Sequence, residues 1–576
     1  MTSSSPTPRA RQLGLLLDAA LLLALALVCL RALGSLEAAR DLTLWDEADY
    51  LRRGLALPQR GLPAPEWGPL HSLLYLALAQ LTPDPVALHD LAYRLLVTLP
   101  TLGLFLCARR ARIPRALALL GALLFLASGA PHVAPRPSLL ALAVVLGGLW
   151  VALAPGRSLE GACAALGLSL LLACYARPEL FLSFVLLSLL LLARLLVRAR
   201  RGEARGPLVR LGLSYGALAL ALLAVLGNPA ADRTGRRLYA FCQHYALGEV
   251  QRSHLDLEPW GQCDAVMQRS FGEVHSVREA ARANPHAFWV HLRDNLQAYP
   301  GASLELMLRG ASHASLLVPA PPSPARRAHA LLLAGMALGL LALGVQALRR
   351  PGVLERMSGG HGVVPLALVL AAVLLPSALS SVLLHPREHY LVLQGVLLPL
   401  CVLGLAAAAA GMGREEPRGA GALAGALAVA LIPAAPLLGP LVPSSQPVQR
   451  QVVAALRETA EGLSPQAGPL GVLEAQGGYD VYLGRGAVRV SPTQRLPGES
   501  FEAFLERRHV RLAVLEPQLV HAPQLAQDPD FRAFLAEPED FGFHTRALPG
   551  TGRVLAVREA AGGGGAAERA ALKRAQ

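Results

Sequence analysis

Three carboxylates lie within four positions of the segment LTLWDEADYLRRG: Asp46, Glu47 and Asp49. Trp45 and Tyr50 flank them, directly after the first long apolar run of a very apolar chain. Aromatic residues at such a place are typical of a membrane–water interface. Carboxylates held there suit a general base or the ligands of a divalent metal ion. A solvated acidic loop is the alternative, and it requires no chemistry.

Cationic residues occur in three other short segments that are predicted to lie on the same side of the membrane. They are Arg136 in PHVAPRPSLL, Arg177 in CYARPELFL, and His385, Arg387 and His389 before Tyr390 in LLHPREHYLVL. Arg and His side chains at the level of the headgroups suit a lipid phosphate. The sequence therefore predicts that carboxylates and cations from distant parts of the chain converge on one membrane face.

The elements that must position these residues are membrane spans. The chain has 576 residues, of which 53% are hydrophobic and 16% are charged, and its mean hydropathy is +0.42. A soluble protein would carry roughly a quarter of charged residues. Apolar runs of about 17 to 25 residues recur, each long enough to cross a hydrocarbon core. The predicted class is a mostly α, polytopic membrane protein, and the short alternating segments of a β-barrel are absent from the sequence.

Eleven transmembrane helices are predicted, and the first is interpreted as a retained anchor because its apolar run is long for a signal peptide. They cover approximately 11–32, 89–109, 115–131, 137–154, 159–176, 179–197, 207–228, 328–348, 362–384, 390–412 and 419–441. Arg residues concentrate in alternate short loops, which the positive-inside rule assigns to the cytoplasm. This pattern places the C-terminus outside, and it explains the net charge of +13 without nucleic acid.

The polar segments define the domain organisation. The predicted divisions are a transmembrane catalytic domain 1–443 with outside loops 33–88 and 229–327, an outside α/β domain 444–560, and a flexible tail 561–576. A juxtamembrane helix near 68–82 is too short to span. The α/β domain is predicted to contain strands in GPLGVLEA and VRLAVLEP and a hairpin that turns at Pro549–Gly552.

Two of the seven cysteines, Cys242 and Cys263, lie in the second outside loop. The other five fall in or beside apolar spans, where thiols pack as small hydrophobic groups. An oxidising outside compartment would allow the pair to form a disulfide. Two unpaired thiols are the alternative, since the sequence does not show whether their Cβ atoms approach.

Several motifs resemble those of the GT-C membrane glycosyltransferases, which include the protein O-mannosyltransferases, the aminoarabinose transferases and the bacterial transferases of the PMT type. LWDEADYL resembles the Asp-Glu motif of their first outside loop, and EWGPLHSLLYLALAQL is similar to their juxtamembrane segment. LAYRLLVTLPTL is similar to the opening of their second span, and HPREHYLVLQGVLLPL to a late Arg/His–Tyr segment. The resemblance covers most of the chain, and the order of the motifs is more specific than any one of them.

The resemblance implies an enzyme that moves a sugar from a polyprenyl-phosphate-linked donor to a glycan, lipid or protein acceptor. Its place would be the outer face of a bacterial inner membrane. The catalytic carboxylate maps onto Asp46, with Glu47 in support. Since prenyl phosphate is already a good leaving group, the chemistry needs a base for the acceptor and cations for the phosphate. Glu66 matches a second acidic residue that some relatives carry, and a single displacement would invert the anomeric centre.

The cationic residues are the candidates for binding the donor phosphate. They are Arg136, Arg177, His385 and Arg387, with His389 and Tyr390 beside them. No clear Asp-X-Asp pair is present elsewhere, so the sequence requires no cofactor, although the carboxylates would accept a divalent cation. Membrane lipid and the two substrates are the expected partners.

Two other functions fit a polytopic chain. A transporter or flippase of a lipid-linked glycan would place ionisable residues within the membrane and would show paired repeats. Few charges lie deep in the predicted spans, and no internal repeat is visible. An inactive scaffold for glycan assembly is the third interpretation, and the intact WDEADY segment argues against it.

Overall fold

A computed structural model defines the fold over most of the chain. It describes residues 8–34, 36–134, 136–202, 205–308, 363–409, 447–463, 469–484 and 486–558, with scattered positions between 331 and 349. The predicted span 419–441 lies outside the described residues, and 328–348 is covered only at the scattered positions.

The chain divides into two compact units. The first, here called the helical unit, contains the described residues of 1–36, 57–74 and 92–444. The second, here called the sheet unit, contains Glu37–Ala56, Tyr75–Leu91 and the described residues of 445–576. The sheet unit therefore includes two segments of the first predicted outside loop in addition to the predicted α/β domain.

Helices dominate the described part of the chain up to residue 409. They are Pro8–Ala32, Leu36–Ala39, Asp46–Arg60, Pro69–Leu78, Pro85–Arg110, Arg115–Ala127, Pro137–Ala152, Leu159–Cys174, Leu180–Arg200, Arg205–Leu226, Arg236–Ser253, Cys263–Phe271, Val277–Ala283, Pro285–Leu308, Val363–Leu383 and Glu388–Ala409. Short 3-10 turns occur at Pro65–Trp67 and Ala130–His132. A ten-residue helix, Pro69–Leu78, lies where the juxtamembrane helix was predicted, and its place at the membrane surface stays a prediction.

Among the residues that the structure describes, five helices are long and apolar enough to cross a membrane. They are Gln12–Ala32, Pro85–Arg110, Leu180–Arg200, Gly206–Leu226 and Glu388–Leu405. Other predicted spans are shorter helices: Pro137–Ala152 and Leu159–Cys174 have 16 residues each. At 1.5 Å per residue such a helix is about 24 Å long, less than a typical hydrocarbon core of about 30 Å. The predicted fold class of a mostly helical, polytopic membrane protein with a small sheet domain is confirmed, and the eleven-span topology stays a prediction.

Small residues and ion pairs bring the apolar helices together. A Cβ added to Gly121 or Gly148 would collide with Leu403 or Ser169, so these helices approach through residues that have no side chain. Asp18 of the first helix accepts from the guanidinium groups of two arginines in the next predicted cytoplasmic loop, at 3.0 and 2.7 Å. Pairing of this kind compensates the excess of arginine in the loops.

The sheet unit is built on five strands. They are β1 Leu470–Leu473, β2 Ala487–Val490, β3 Val510–Leu515, β4 Phe543–Leu548 and β5 Arg553–Arg558, in the spatial order β2-β1-β3-β5-β4. β1 runs parallel to both β2 and β3, whereas β5 is antiparallel to β3 and β4. The helices of the unit's C-terminal segment are Val448–Gly462, Tyr479–Leu483, Phe501–Arg507, Pro517–Val520 and Pro529–Ala536, with 3-10 turns at Pro492–Gln494 and Pro538–Phe541.

Most elements of this domain were predictable from local patterns. The strands predicted in GPLGVLEA and VRLAVLEP, which are β1 and β3, and the β4–β5 hairpin are confirmed. The strand β2 was missed because it is short, lies at the edge of the sheet and carries Arg489 in its middle. A cluster of buried phenylalanines fills the core under the sheet: Phe501, Phe504, Phe531, Phe534 and Phe543.

Candidate functional site

The segment LTLWDEADYLRRG, residues 42–54, is here called the acidic motif, and its three acids lie in the first turn of a helix rather than in a loop. The helix Asp46–Arg60 begins with three acids in its first turn and ends with an arginine. Negative side chains are favourable at a helix N-terminus, where unsatisfied N–H groups carry partial positive charge. Successive residues of a helix point in different directions, so Asp46 and Glu47 cannot share one environment.

The three carboxylates have different surroundings. Glu47 is only 1% exposed and accepts a hydrogen bond from the hydroxyl of Tyr75. Asp49 is partly buried and pairs with two arginines of its own helix, at 3.0 and 2.6 Å. Asp46 is exposed. Asp46 is therefore the carboxylate of the motif that another molecule can reach, and its role as a base stays a prediction.

The helical unit brings several predicted cations together in one cluster, here called the cation–aromatic cluster. Its members are Arg177, His244, Trp260, His385, Arg387, His389 and Tyr390. The guanidinium of Arg177 lies 4.6 Å from the ring centroid of Tyr390, and that of Arg387 lies 5.1 Å from the ring of Trp260. The ring of His244 is 5.9 Å from that of Tyr390 and so connects the two halves.

Neutral histidines accompany the arginines. Burial, followed by the charge of Arg387, lowers the pKa of His244 to about 3. The pKa of His385 is lowered to about 4, mainly by burial and to a smaller extent by the charges of the nearby His291 and Arg387. The Nδ1–H of His244 donates to the carbonyl of Ala240 at 2.6 Å, which leaves Nε2 to accept from Arg387 at 3.5 Å. At neutral pH the positive charge of the cluster therefore resides on its guanidinium groups.

The position of His385 is set by a neighbouring helix. Its Nδ1–H donates to Oδ1 of Asn295 at 3.2 Å. The amide of Asn295 in turn donates to the carbonyls of Val382 at 2.8 Å and Leu384 at 3.0 Å. Asn295 thus satisfies carbonyl groups at the end of the helix Val363–Leu383, which have no partner within that helix. One buried amide fixes both the helix end and the imidazole beside it.

The two arginines of the cluster differ in how much of their charge is already compensated. Arg177 forms an ion pair with Glu179, with its Nε 2.7 Å from Oε1. Arg387 forms no ion pair with a carboxylate among the residues that the structure describes. An incoming phosphate would have to compete with Glu179 for Arg177, so Arg387 is the stronger candidate for an anion.

Two other predicted site residues have contacts of their own. Arg136 is 1% exposed, and its guanidinium lies 4.8 Å from the ring of Tyr93. Glu66 is 2% exposed, and its Oε1 accepts from the backbone N–H groups of Arg233 at 3.0 Å and Thr234 at 3.2 Å. These contacts are structural, and a role of either residue in substrate binding stays a prediction. His389 is buried with its ring 4.2 Å from that of Tyr390.

His244 and Trp260 were not predicted as site residues from the sequence, although one signal pointed to them. Cys242 and Cys263 form the predicted disulfide, with their Cα atoms 5.5 Å apart. His244 follows the first cysteine by two positions, and Trp260 precedes the second by three. A predicted bridge brings its neighbours together, so both residues could have been placed near one another. The disulfide closes the segment that contacts Arg387 from two sides.

We predict that the double variant Cys242→Ser/Cys263→Ser loses roughly 3 kcal/mol of stability, since a bridge over a loop of this length restricts the unfolded chain. The donor KM should rise as well, because His244 and Trp260 lose their common anchor. Thermal unfolding and donor titration measure both effects. Reductant should reproduce them in the wild type and leave the double variant unchanged. Equal donor KM in oxidised and reduced wild type would contradict the functional part.

The divalent cation has no further support among the described residues. Among those residues, one group of His, Cys, Asp or Glu side chains has its potential ligand atoms within 4.8 Å of one another: Cys242, Cys263 and Asp264. Both of these cysteines are consumed by the disulfide. A thiolate is the metal-binding form of cysteine. A bound cation stays a prediction, and no step proposed below depends on it.

Similarity to known proteins is found among solved structures. No protein-family profile matches the sequence, and no curated protein matches it. Among the solved structures that match is the cryo-EM structure of the arabinofuranosyltransferase AftD from Mycobacteria, with a TM-score of 0.35 and 14% sequence identity. The match covers 97% of this chain, and this chain spans 40% of the length of that one. At this level of similarity, conclusions about function depend on the residues of the chain itself.

Proposed function

We propose that this protein is a membrane glycosyltransferase that moves a sugar from a polyprenyl-phosphate-linked donor to an acceptor hydroxyl or amine at the outer membrane face. The observation that carries the proposal is the difference in exposure between Asp46 and Glu47, the two adjacent acids of the acidic motif. Asp46 is exposed at the start of a helix, while Glu47 is buried beneath it and bonded to Tyr75. A general base needs both access to its substrate and a fixed position.

Asp46 takes the proton of the acceptor group as the acceptor oxygen or nitrogen forms its bond to the anomeric carbon. The bond between that carbon and the phosphate oxygen breaks, and its electron pair leaves with the prenyl phosphate. No general acid is needed, since the phosphate is stable as an anion. Attack from the face opposite the leaving group inverts the anomeric centre. The proposed step thus needs one base and one stabiliser of the departing phosphate.

The cation–aromatic cluster is the proposed stabiliser. Its guanidinium groups can donate two parallel hydrogen bonds to phosphate oxygens. The guanidinium of Arg387 lies 5.1 Å from the ring centroid of Trp260 and that of Arg177 lies 4.6 Å from that of Tyr390, and these cation–π contacts hold both groups in position. Neutral His244 and His385 bond through their Nδ1–H groups to Ala240 and Asn295, and they pack beside the guanidinium groups without adding charge. The donor would bind first to Arg387, because Arg177 is already paired with Glu179.

The direct test uses the full-length protein purified in detergent or reconstituted in nanodiscs. It is incubated with prenyl phosphates that carry different radiolabelled sugars, together with a membrane extract as the source of acceptors. We expect the label to leave the lipid and to appear in an acceptor fraction, and the variant Asp46→Asn to abolish this transfer. A flippase would move the intact labelled lipid across a bilayer, and an inactive scaffold would bind it unchanged. Either of those results would overturn the proposal.

A further inference from the structure

The strand topology of the sheet unit is one that forms a ligand-binding crevice in other α/β domains. From β1 the chain connects to β2 on one side, while β3 pairs with the other side of β1 and is parallel to it. In open α/β sheets, ligands bind outside the carboxyl ends of the strands where the connections diverge in this way. Glu474 directly follows β1 and Glu516 directly follows β3. Both are buried.

The segment after β1, residues 474–480, is here called the positioning loop, and it is folded around a buried carboxylate. Glu474 accepts hydrogen bonds from the backbone N–H groups of Gly477 at 3.1 Å and Gly478 at 2.9 Å. Its side chain is fully buried. Burial raises the pKa of Glu474 to about 7, while its hydrogen bonds from the backbone and the charge of Arg489 act in the opposite direction. The carboxylate therefore serves the shape of the loop.

The positioning loop contacts the acidic motif on both sides of Asp46. The carbonyl of Gly477 accepts from the N–H of Trp45 at 2.9 Å. Asp480 accepts from the guanidinium of Arg52 at 2.8 Å. Trp45 has a φ of 57°, a left-handed conformation that is costly for a bulky residue and persists only where the surroundings hold it. The residue immediately before Asp46 is thus kept in an unfavourable conformation by a contact with this loop.

The closest approach is at Gly478. Its φ is +137°, and a Cβ added there would lie 2.7 Å from Cβ of Ala48 and 3.2 Å from Cδ2 of Leu44. Separations below 3.0 Å between such atoms require something to move. Ala48 lies in the first turn of the helix Asp46–Arg60, here called the motif helix, two positions after Asp46. The backbone of the loop and the helix that carries Asp46 are in direct contact.

We propose that the crevice at the carboxyl ends of β1 and β3 holds the acidic motif in place of a ligand, and that the positioning loop sets the position of Asp46 for catalysis. Gly478, Glu474 and Asp480 are then positioning residues that act through the motif helix. This inference rests on the proposed function. It explains why the α/β domain and the acidic motif form one compact unit although some 430 residues separate them along the chain.

The main test is Gly478→Ala in the full-length protein. The added methyl group should displace the first turn of the motif helix, and a misplacement of about 1 Å can cost around 100-fold in rate. We expect kcat to fall about 10- to 100-fold, with the donor KM unchanged, because donor phosphate is assigned to the cation–aromatic cluster. A general loss of folding would instead lower the amount of active protein and leave kcat per donor site unchanged.

Two matched variants separate the contact from backbone strain. Gly484 also has a positive φ, +96°, but a Cβ there would meet nothing within 4 Å, so Gly484→Ala should keep the wild-type kcat. The double variant Ala48→Gly/Gly478→Ala removes the opposing methyl group and should recover much of the lost kcat, whereas Ala48→Gly alone should change it little. Wild-type kcat in Gly478→Ala, equal losses in both alanine variants, or no recovery in the double variant would each overturn the inference.

A second pair of variants serves if Gly478→Ala does not fold. Arg52 and Arg53 are neighbours on the motif helix, and both pair with Asp49. Arg52 also donates to Asp480 of the positioning loop. Arg52→Ala should therefore lower kcat more than Arg53→Ala, and equal effects would contradict the inference. If Asp46→Asn is inactive while these variants are normal, only the inference fails; if the wild-type protein itself transfers no sugar from the labelled prenyl phosphates, the proposed function fails.

Discussion

Replacement of Asp46 by asparagine should lower kcat about 100- to 10,000-fold, the usual cost of losing a positioned base. The amide has nearly the same shape as the carboxylate but cannot accept the acceptor's proton. Asp46 is exposed, and substitutions at exposed positions usually change stability little, so the purified variant should unfold close to the wild-type temperature. The measurement is kcat for release of labelled sugar from the prenyl phosphate, with the donor KM determined in parallel.

The matched control lies in the same helical turn. Asp49 is three positions further along, and its carboxylate is already engaged by two arginines. Asp49→Asn removes the same charge from the motif and should retain kcat to within about the few-fold effect of an altered surface pair. An Asp46→Asn variant that turns over at the wild-type rate would show that the base is another group.

Replacement of Arg387 by alanine should raise the donor KM about 10- to 100-fold. A hydrogen bond to a charged group contributes about 1.5 to 3 kcal/mol, and each 1.4 kcal/mol corresponds to roughly a tenfold change in affinity. Arg387→Lys should lose less, since lysine keeps the charge and gives up only the paired hydrogen bonds. Arg177→Ala should have a smaller effect than Arg387→Ala, because Glu179 already occupies part of its guanidinium.

The control for lost charge is Arg293→Ala, since this arginine is 55% exposed and pairs with the adjacent Asp294. Its donor KM should match the wild type.

The pKa values of His244 and His385, about 3 and about 4, lie below the pH range of the assay, so neither imidazole gains a proton within that range. We therefore expect the donor KM to stay constant between about pH 5 and pH 8, where an ordinary histidine would titrate. Unchanged donor affinity in both Arg177→Ala and Arg387→Ala would exclude the cluster as the phosphate site.

Features that depend on local patterns were determined by the sequence. Long apolar runs indicate membrane helices, and the alternating strands around Pro549–Gly552 indicate a hairpin, because both patterns follow from the repeat of the backbone itself. The pairing of Cys242 with Cys263 was also accessible, since an outside loop held both cysteines and the remaining five lay in or beside apolar spans. The resemblance of short motifs selected the same carboxylates and cations that the composition of the loops had marked.

Only the tertiary structure decided how those residues are used. Asp46 and Glu47 are adjacent acids, and nothing in their order shows that one is exposed and the other is buried against Tyr75. Burial depends on which distant segments pack together, as does the contact of Gly478 with the first turn of the motif helix. The contact of His244 with Arg387, 143 positions away, has the same origin. Side-chain environments arise from non-local packing, and local sequence patterns carry no record of it.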